Sequence, residues 1–452
     1  MIISWDKNDV CYRNYEDFSI LYNTKTTMMY LFENVAMDIW NIITRNAETD
    51  VKFIVKELLF LYECNKKDLI KDIHEFIEEL YQEGNIKING IYNENNINYM
   101  NTKLSIEPSI EQDIIKLLNQ RDQLYSFTME MTYNCNEKCL HCYAYNNDKI
   151  KKITVEKYYD VIDQLYDLKC MKIAFTGGDP FLNPCFMDVY KYARKKGFMC
   201  EIFTNGQYLS DNHNVLNDLI KFNPRNFYIS LYGPDAATHD YITTIKGSFD
   251  KTIDTIKILV DNNVPVVANI IILNINAHKA KSTINLAKQL NIKYRVGFSI
   301  IYANDGSNNP MKYFLKDKSI IKEIIRYNSN TDKISIPKNS NIRICGAGLT
   351  VLSMSPVGEI FPCVSLKNKL GNIYEQTLKE IWESKERKKL AKSLIWSNTH
   401  NCSMCKNRSF CQHCLAISAA EKNDIFSCNT CDKFISDCID ELIKEEHIID
   451  KE

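Results

Sequence analysis

The sequence predicts an α/β protein whose middle is a partial, TIM-like barrel of six βα units. An α+β domain precedes the barrel and a cysteine-rich domain follows it. Three observations predict this. Between residues 127 and about 305, short apolar runs alternate with amphipathic helical patterns, as parallel strands joined by crossover helices require. The first 90 residues combine short strand patterns with three helix patterns. The 17 cysteines crowd mainly into residues 135–142 and 345–438.

A chain of 452 residues exceeds one ordinary core. The expected divisions are an N-terminal domain at 1–92, a linker at 93–126, the barrel at 127–310, a bridging region at 311–340 and the cysteine-rich domain at 341–452. Hydrophobic residues are 45% and charged residues 25%, the balance of a globular protein. The formal net charge of −1 supports neither nucleic acid nor an anionic membrane as partner. No apolar run approaches the roughly 18 residues of a membrane helix. The opening "MIISWDKNDV" lacks the basic and apolar regions of a signal peptide. The expected location is a reducing cytoplasm, where clustered thiols hold metal more often than disulfides.

In the first domain, "VCYRNYEDFSILYN" and "MMYLF" alternate as strands do. "NVAMDIWNIIT" places Val35, Ile39, Ile42 and Ile43 on one helical face. "DVKFIVKELLFLYE" is a second helix. A third spans "NKKDLIKDIHEFIEELYQEG", with Asn65 as its N-cap and Gly84 as its stop. With "GNIKI" behind them, these elements form a winged-helix-like layout. Its third helix carries no basic stripe, which argues against DNA and for a groove that takes up a peptide. From Ile91 the chain turns polar and Asn-rich, with one modest helix around 111–119.

The barrel strands are "SFTMEMTY", "KIAFTG", "CEIFTNG", "FYISLYG", "VVANIIIL" and "RVGFSIIY". In such folds the chemistry sits at the C-terminal strand ends. There, directly after the first strand, stands "NCNEKCLHCY", with Cys135, Cys139 and Cys142. Three thiolates on one loop suit a four-iron cluster that keeps one iron open. Zinc with a remote fourth ligand is the alternative. His141, between two of the thiols, is placed to stack on a cofactor ring.

These residues resemble the radical S-adenosylmethionine superfamily, whose signature is Cys-x3-Cys-x2-Cys after the first barrel strand. The resemblance continues in "TGGDP" at 176–180, "FTNG" at 203–206 and "ISLYGP" at 229–234. It implies that Gly177, Gly178 and Asp179 meet the methionyl amino group. It likewise implies that Thr204, Asn205, Ser230 and Asn269 border the rest of S-adenosylmethionine. The implied chemistry is reductive cleavage to a 5′-deoxyadenosyl radical that abstracts hydrogen from substrate carbon.

The second field reads Cys345 and Cys363, then "CSMCKNRSFCQHC" with Cys402, Cys405, Cys411 and Cys414, then "CNTC" with Cys428 and Cys431. Pairs two apart leave zinc ribbons open as one reading. The whole pattern looks like the SPASM extension of radical enzymes. That resemblance implies two auxiliary four-iron four-sulfur clusters, three clusters in all. One is implied on Cys345, Cys363 and Cys414, and the other on Cys402, Cys405, Cys411 and Cys428. The first set is one ligand short unless Cys431 completes it. The N-terminal domain resembles the PqqD-like element that grips the leader of ribosomally made precursor peptides.

Together the resemblances imply a peptide maturase of the sactipeptide or ranthipeptide kind. It would install thioether links in the Cys-rich core of a precursor and draw electrons from a flavodoxin or ferredoxin. Carbon–carbon cross-linking is the alternative within the class. A sulfatase maturase is disfavoured because Val364 stands where that family has an acid. A non-catalytic winged-helix regulator is the reading from another class.

Overall fold

The computed structural model describes residues 1–89, 110–144, 153–212, 214–328 and 343–445. The first unit contains β1 (Ile2–Ser4), β2 (Val10–Asn14), β3 (Phe18–Asn23), β4 (Met29–Glu33), α1 (Asn34–Arg45), β5 (Glu48–Asp50), α2 (Val51–Leu61), α3 (Lys66–Gln82) and β6 (Lys87–Asn89). The three helices and the closing strand stand where their patterns place them. The Asn65 side chain caps α3 by accepting from Lys67 N, and Gly84 ends the helix region at φ +69°. β1 joins β5 and β6 in an antiparallel sheet. β2, β3 and β4 form a separate antiparallel meander.

That meander docks beneath the barrel. Cys11, Tyr15, Phe18, Ile20 and Tyr22 share one apolar cluster with Tyr125, Met171 and Met199, which stand at the N-terminal ends of barrel strands. Arg13 is buried there, donating to Cys170 O and Gly197 O. Its guanidinium lies between the rings of Tyr166 and Phe198.

Residues 110–126 of the expected linker pack under the barrel, while 93–109 lie outside the described residues. α4 (Ile110–Gln120) buries Ile114 and Leu118 in the same cluster. Its Glu111 pairs with Arg225 and accepts from the Tyr125 hydroxyl. α4 is thus a plug under the barrel.

The barrel runs β7 (Ser126–Glu130), α5 (Val155–Asp167), β8 (Lys172–Thr176), α6 (Phe186–Lys195), β9 (Met199–Thr204), α7 (Gln207–Asp211), α8 (Asn214–Lys221), β10 (Asn226–Ser230), α9 (Ala236–Thr243), α10 (Ser248–Asp261), β11 (Val266–Ile271), α11 (Ala280–Gln289) and β12 (Lys293–Gly297). All six expected strands form, in parallel and in sequence order. α12 (Lys318–Asn328) follows, and the rest of the expected bridging region, 329–340, lies outside the described residues.

The cysteine-rich domain contributes β13 (Val351–Met354), β14 (Glu359–Phe361), β15 (Gly371–Asn372), α13 (Leu378–Glu383), α14 (Lys385–Ser393), α15 (Leu415–Lys422) and α16 (Thr430–Glu445). β13 pairs in parallel with β7, and β14 and β15 continue the sheet antiparallel. The sheet therefore has nine strands, and the domain border passes through it. Gly358, at φ +83° and where a Cβ would sit 2.7 Å from Ile373 Cγ1, makes the turn into β14. Among the described residues no helix is long and apolar enough to cross a membrane.

Candidate active site and cysteine centres

The thiol loop leaves β7 and is held on both flanks by backbone bonds. On one side Met131 N donates to Thr176 O (2.8 Å), Gly178 N to Thr132 O (2.7 Å) and Asp179 N to Asn134 O (2.9 Å). On the other, Lys138 N and Leu140 N donate to Thr243 O and Ile242 O at the end of α9. The first approach leaves no room for side chains. A Cβ on Gly177 would sit 2.1 Å from Thr132 O, and one on Gly178 2.2 Å from Asn134 O. Gly177 also adopts φ +132°. The two glycines therefore admit the thiol loop itself.

Cys135, Cys139, Cys142, His141, Gly177, Gly178, Thr204, Asn205, Ser230 and Asn269 all line one cavity of about 470 Å³ inside the barrel. Asp179 does not. Its carboxylate is buried and already accepts from Phe181 N (3.0 Å), Thr204 Oγ1 (2.6 Å) and Asn205 N (3.1 Å). Burial raises its pKa to about 6. The Asp179 carboxylate thus ties the ends of β8 and β9 together behind the cavity wall.

Asn205 turns its amide to Asn136 Oδ1 (2.6 Å) and towards Cys135 Sγ (3.6 Å). Ser230 and Tyr232 line the same cavity. The His141 ring meets Tyr232 edge-on at 4.9 Å, and its Nδ1 is buried without a partner. Burial lowers its pKa to about 4, so the ring is neutral at pH 7. Asn269 Oδ1 accepts from Arg295 Nε (2.9 Å).

One inward-facing group escaped the motif spacing. Glu137, between the first two thiols, is buried, accepts from Gln207 Nε2 (2.6 Å) and is the acceptor for Cys139 Sγ (3.0 Å). Burial raises its pKa to about 7. It stands in the quoted motif, but nothing local says which way it turns. Val364, from the C-terminal domain, also lines the cavity.

The second cysteine field resolves into two groups. Cys363 and Cys414 lie close enough to Cys345 to raise its pKa electrostatically, and Cys431 lies near Cys414. Cys402, Cys405, Cys411 and Cys428 form the other group. Burial is the main cause of every upward shift, to about 11 for Cys345 and about 12 for Cys135, Cys402, Cys411 and Cys431. Thiols so placed become thiolates when a metal supplies the compensating charge. Among the described residues no three such side chains converge on a single ion position. A cuboidal cluster offers separate corner irons and asks for a wider ring of thiolates than one zinc does. The donor sets and the orphaned ring nitrogen of His141 fit iron–sulfur clusters with a bound organic cofactor.

Residues 129–287 match the radical SAM superfamily, and residues 345–414 match SPASM, an iron–sulfur cluster-binding domain. The barrel is a radical SAM domain. The AdoMet-dependent heme synthase of Methanosarcina barkeri is 24% identical over 65% of this chain and 92% of its own length. The antilisterial bacteriocin subtilosin biosynthesis protein AlbA of Bacillus subtilis is 27% identical over 57% of this chain and 59% of its own. Among solved structures, Streptococcus suis SuiB bound to precursor peptide SuiA shares the fold with a TM-score of 0.63. That match covers 95% of this chain and 99% of the other at 14% identity. Among the described residues the chain thus carries a radical SAM barrel and a SPASM domain on one nine-stranded sheet.

Proposed function

We propose that the protein matures a ribosomally made precursor peptide by installing thioether links from cysteine sulfur to carbon. One observation carries the reading: a fold shared from end to end with SuiB, N-terminal unit, barrel and cysteine field together, in a structure that holds a precursor peptide. The sequence similarity to AlbA supports it. In this reading the N-terminal unit grips the leader, and a flavodoxin- or ferredoxin-like protein in the cytoplasm supplies electrons.

Cys135, Cys139 and Cys142 would hold the first cluster, leaving one iron for S-adenosylmethionine. The backbone at Gly177 and Gly178, the side chains of Thr204, Asn205, Ser230 and Asn269, and the His141 ring would border that cofactor. Cys345, Cys363 and Cys414, with Cys431 nearby, would hold one auxiliary cluster, and Cys402, Cys405, Cys411 and Cys428 the other. When bound, these groups supply a carbon-centred oxidant that takes a hydrogen atom from the peptide. Glu137 Oε2 receives the Cys139 proton as that thiolate forms. Ile271, Ile300, Ile301 and Val364 line the cavity with apolar surface and keep water from the reacting carbon. Each link removes one hydrogen atom, one proton and one electron from the peptide, and auxiliary clusters held by the second cysteine field would supply the sink for that electron.

Co-expression with a small cysteine-rich precursor tests this by mass spectrometry. The expected product lacks two hydrogens per link and resists reduction and alkylation. A product whose cysteines all alkylate overturns it. A porphyrin substrate is the second reading, favoured by the heme synthase match over 92% of that protein. An iron porphyrin consumed together with S-adenosylmethionine would support that reading instead.

A further inference from the structure

β12 ends the parallel run of the sheet, and among the described residues no strand pairs along its outer side. Arg295 stands in its middle, in register with Asn269 of β11. Three groups fix its side chain. Phe203 and Tyr228 stack on each other at 4.5 Å, and the guanidinium lies 4.4 Å from the Tyr228 ring centre and 5.3 Å from that of Phe203. Its Nε donates to Asn269 Oδ1. Phe203, Tyr228 and Asn269 all line the cavity that holds the three thiols. The arginine, itself exposed, therefore stands against residues that wall that cavity.

The other cations of the barrel interior are already neutralised. Lys172 pairs with Glu201 (3.4 Å), and Arg225 pairs with Glu111 and Glu201. Among the described residues Arg295 has no carboxylate partner, and its two terminal nitrogens have no acceptor. A guanidinium held over aromatic rings and by an amide presents its remaining N–H groups as a fork, the geometry that binds a carboxylate through two parallel bonds. An arginine serving only solubility needs neither the stacking nor the amide.

We propose that Arg295 is a carboxylate-binding subsite that seats an acidic side chain of the substrate beside the radical site. The inference deepens the maturase reading and rests on it for the identity of the substrate as a peptide. A carboxylate could also come from the methionyl end of S-adenosylmethionine. That group must lie beside the thiol loop after β7, and β12 is the strand farthest from β7 along the parallel run. The substrate side chain is therefore the assigned ligand.

The test uses N-acetyl-aspartate N-methylamide and its asparagine counterpart, titrated into the holoenzyme by saturation-transfer NMR. The aspartyl probe should bind at least ten-fold more tightly. Arg295→Gln should bring the two probes to parity, and Arg295→Lys should keep part of the preference. S-adenosylhomocysteine should bind wild type and Arg295→Gln equally, and their thermal melts should coincide. Equal binding of the two probes to wild type overturns the proposal, as does an unchanged preference in Arg295→Gln. Loss of S-adenosylhomocysteine binding in that variant overturns it too, by assigning the guanidinium to the methionyl carboxylate. The probes need neither leader nor turnover. Absent cross-linking on co-expression therefore removes the maturase reading alone, and absent probe preference removes the subsite alone.

Discussion

The thiol loop of the barrel and the cysteine field behind it reach the same chemistry by different construction. The loop is pinned by backbone bonds to residues 176–179 on one flank and 242–243 on the other, so its thiols are placed before any metal arrives. Residues 396–411 instead pass through three single-turn 3-10 segments, Trp396–Asn398, Cys402–Met404 and Arg408–Phe410, with little ladder hydrogen bonding between them. Cys405 is exposed and Met404 beside it is 91% exposed. In the first region the fold positions the ligands. In the second, a bound cluster would have to be part of the fold.

The sharpest way to break that contrast is Gly178→Ala. The new Cβ meets only backbone, Asn134 O at 2.2 Å and Tyr133 O at 2.7 Å, so the loop itself must shift. A misplacement of about 1 Å costs on the order of a hundred-fold in rate. S-adenosylmethionine cleavage should fall at least that far, and bound iron should drop by one cluster. Cleavage at the wild-type rate would show that the loop is placed by its cluster instead.

Removing iron with a chelator is the next test. Limited proteolysis should then cut within residues 396–431 while a fragment containing residues 126–297 persists. If both regions become sensitive together, the barrel depends on metal as much as the cysteine field does.

The difference between the regions also explains what the sequence made legible. Six strands and the thiol loop come from local alternation and spacing, whereas the grouping of the second-field cysteines came only as what the SPASM resemblance implies. β13 was hidden in "TVLSMSPVGEIF", because a short strand declares its sheet only through its partner, here β7. α4 showed as a helix, but its role did not show, because that role lies in Glu111 meeting Arg225, 114 residues away. Asp179 and Glu137 divide the same way. Both stand in motifs, yet one is consumed by Thr204 and Asn205 and the other turned inward by Gln207, partners 25 to 70 residues distant.

Glu111→Gln separates barrel rigidity from metal at the base of the molecule. Burial would raise the Glu111 pKa, but its pair with Arg225 outweighs burial and holds it at about 2, against 4.5 in the unfolded chain. A depressed carboxylate adds stability above the unfolded pKa and loses it as pH falls through the folded one. Wild type should lose up to about 3 kcal/mol from this pair between pH 4.5 and 2. The variant should be weaker by that order at pH 7 in urea titrations, with a flatter acid limb and an unchanged iron content. An unchanged acid limb would show that the pair contributes nothing.

The smallest effect is expected where the two regions touch. Glu130, at the end of β7, is buried, and Lys367, four residues beyond Cys363, reaches it at 3.5 Å beside the hydroxyls of Tyr133 and Tyr143. Burial raises the Glu130 pKa, and Lys367 opposes the rise. Lys367→Met should therefore push that pKa higher still. A raised carboxylate in the fold costs stability as pH climbs from the unfolded value, so the penalty belongs to neutral pH and fades towards pH 4.5. Because Lys367 is partly exposed and the pair is long, about 1 kcal/mol at pH 7.5 is the scale expected. Urea titrations at the two pH values measure it, and a loss that is equal at both would mean that packing, not charge, is what Lys367 supplies. Glu130→Gln alone should lose little, and in that background Lys367→Met should cost nothing further, because the charge it answers is gone. Such coupling would make this pair the side-chain tie through which the metal-dependent region leans on the pre-formed one.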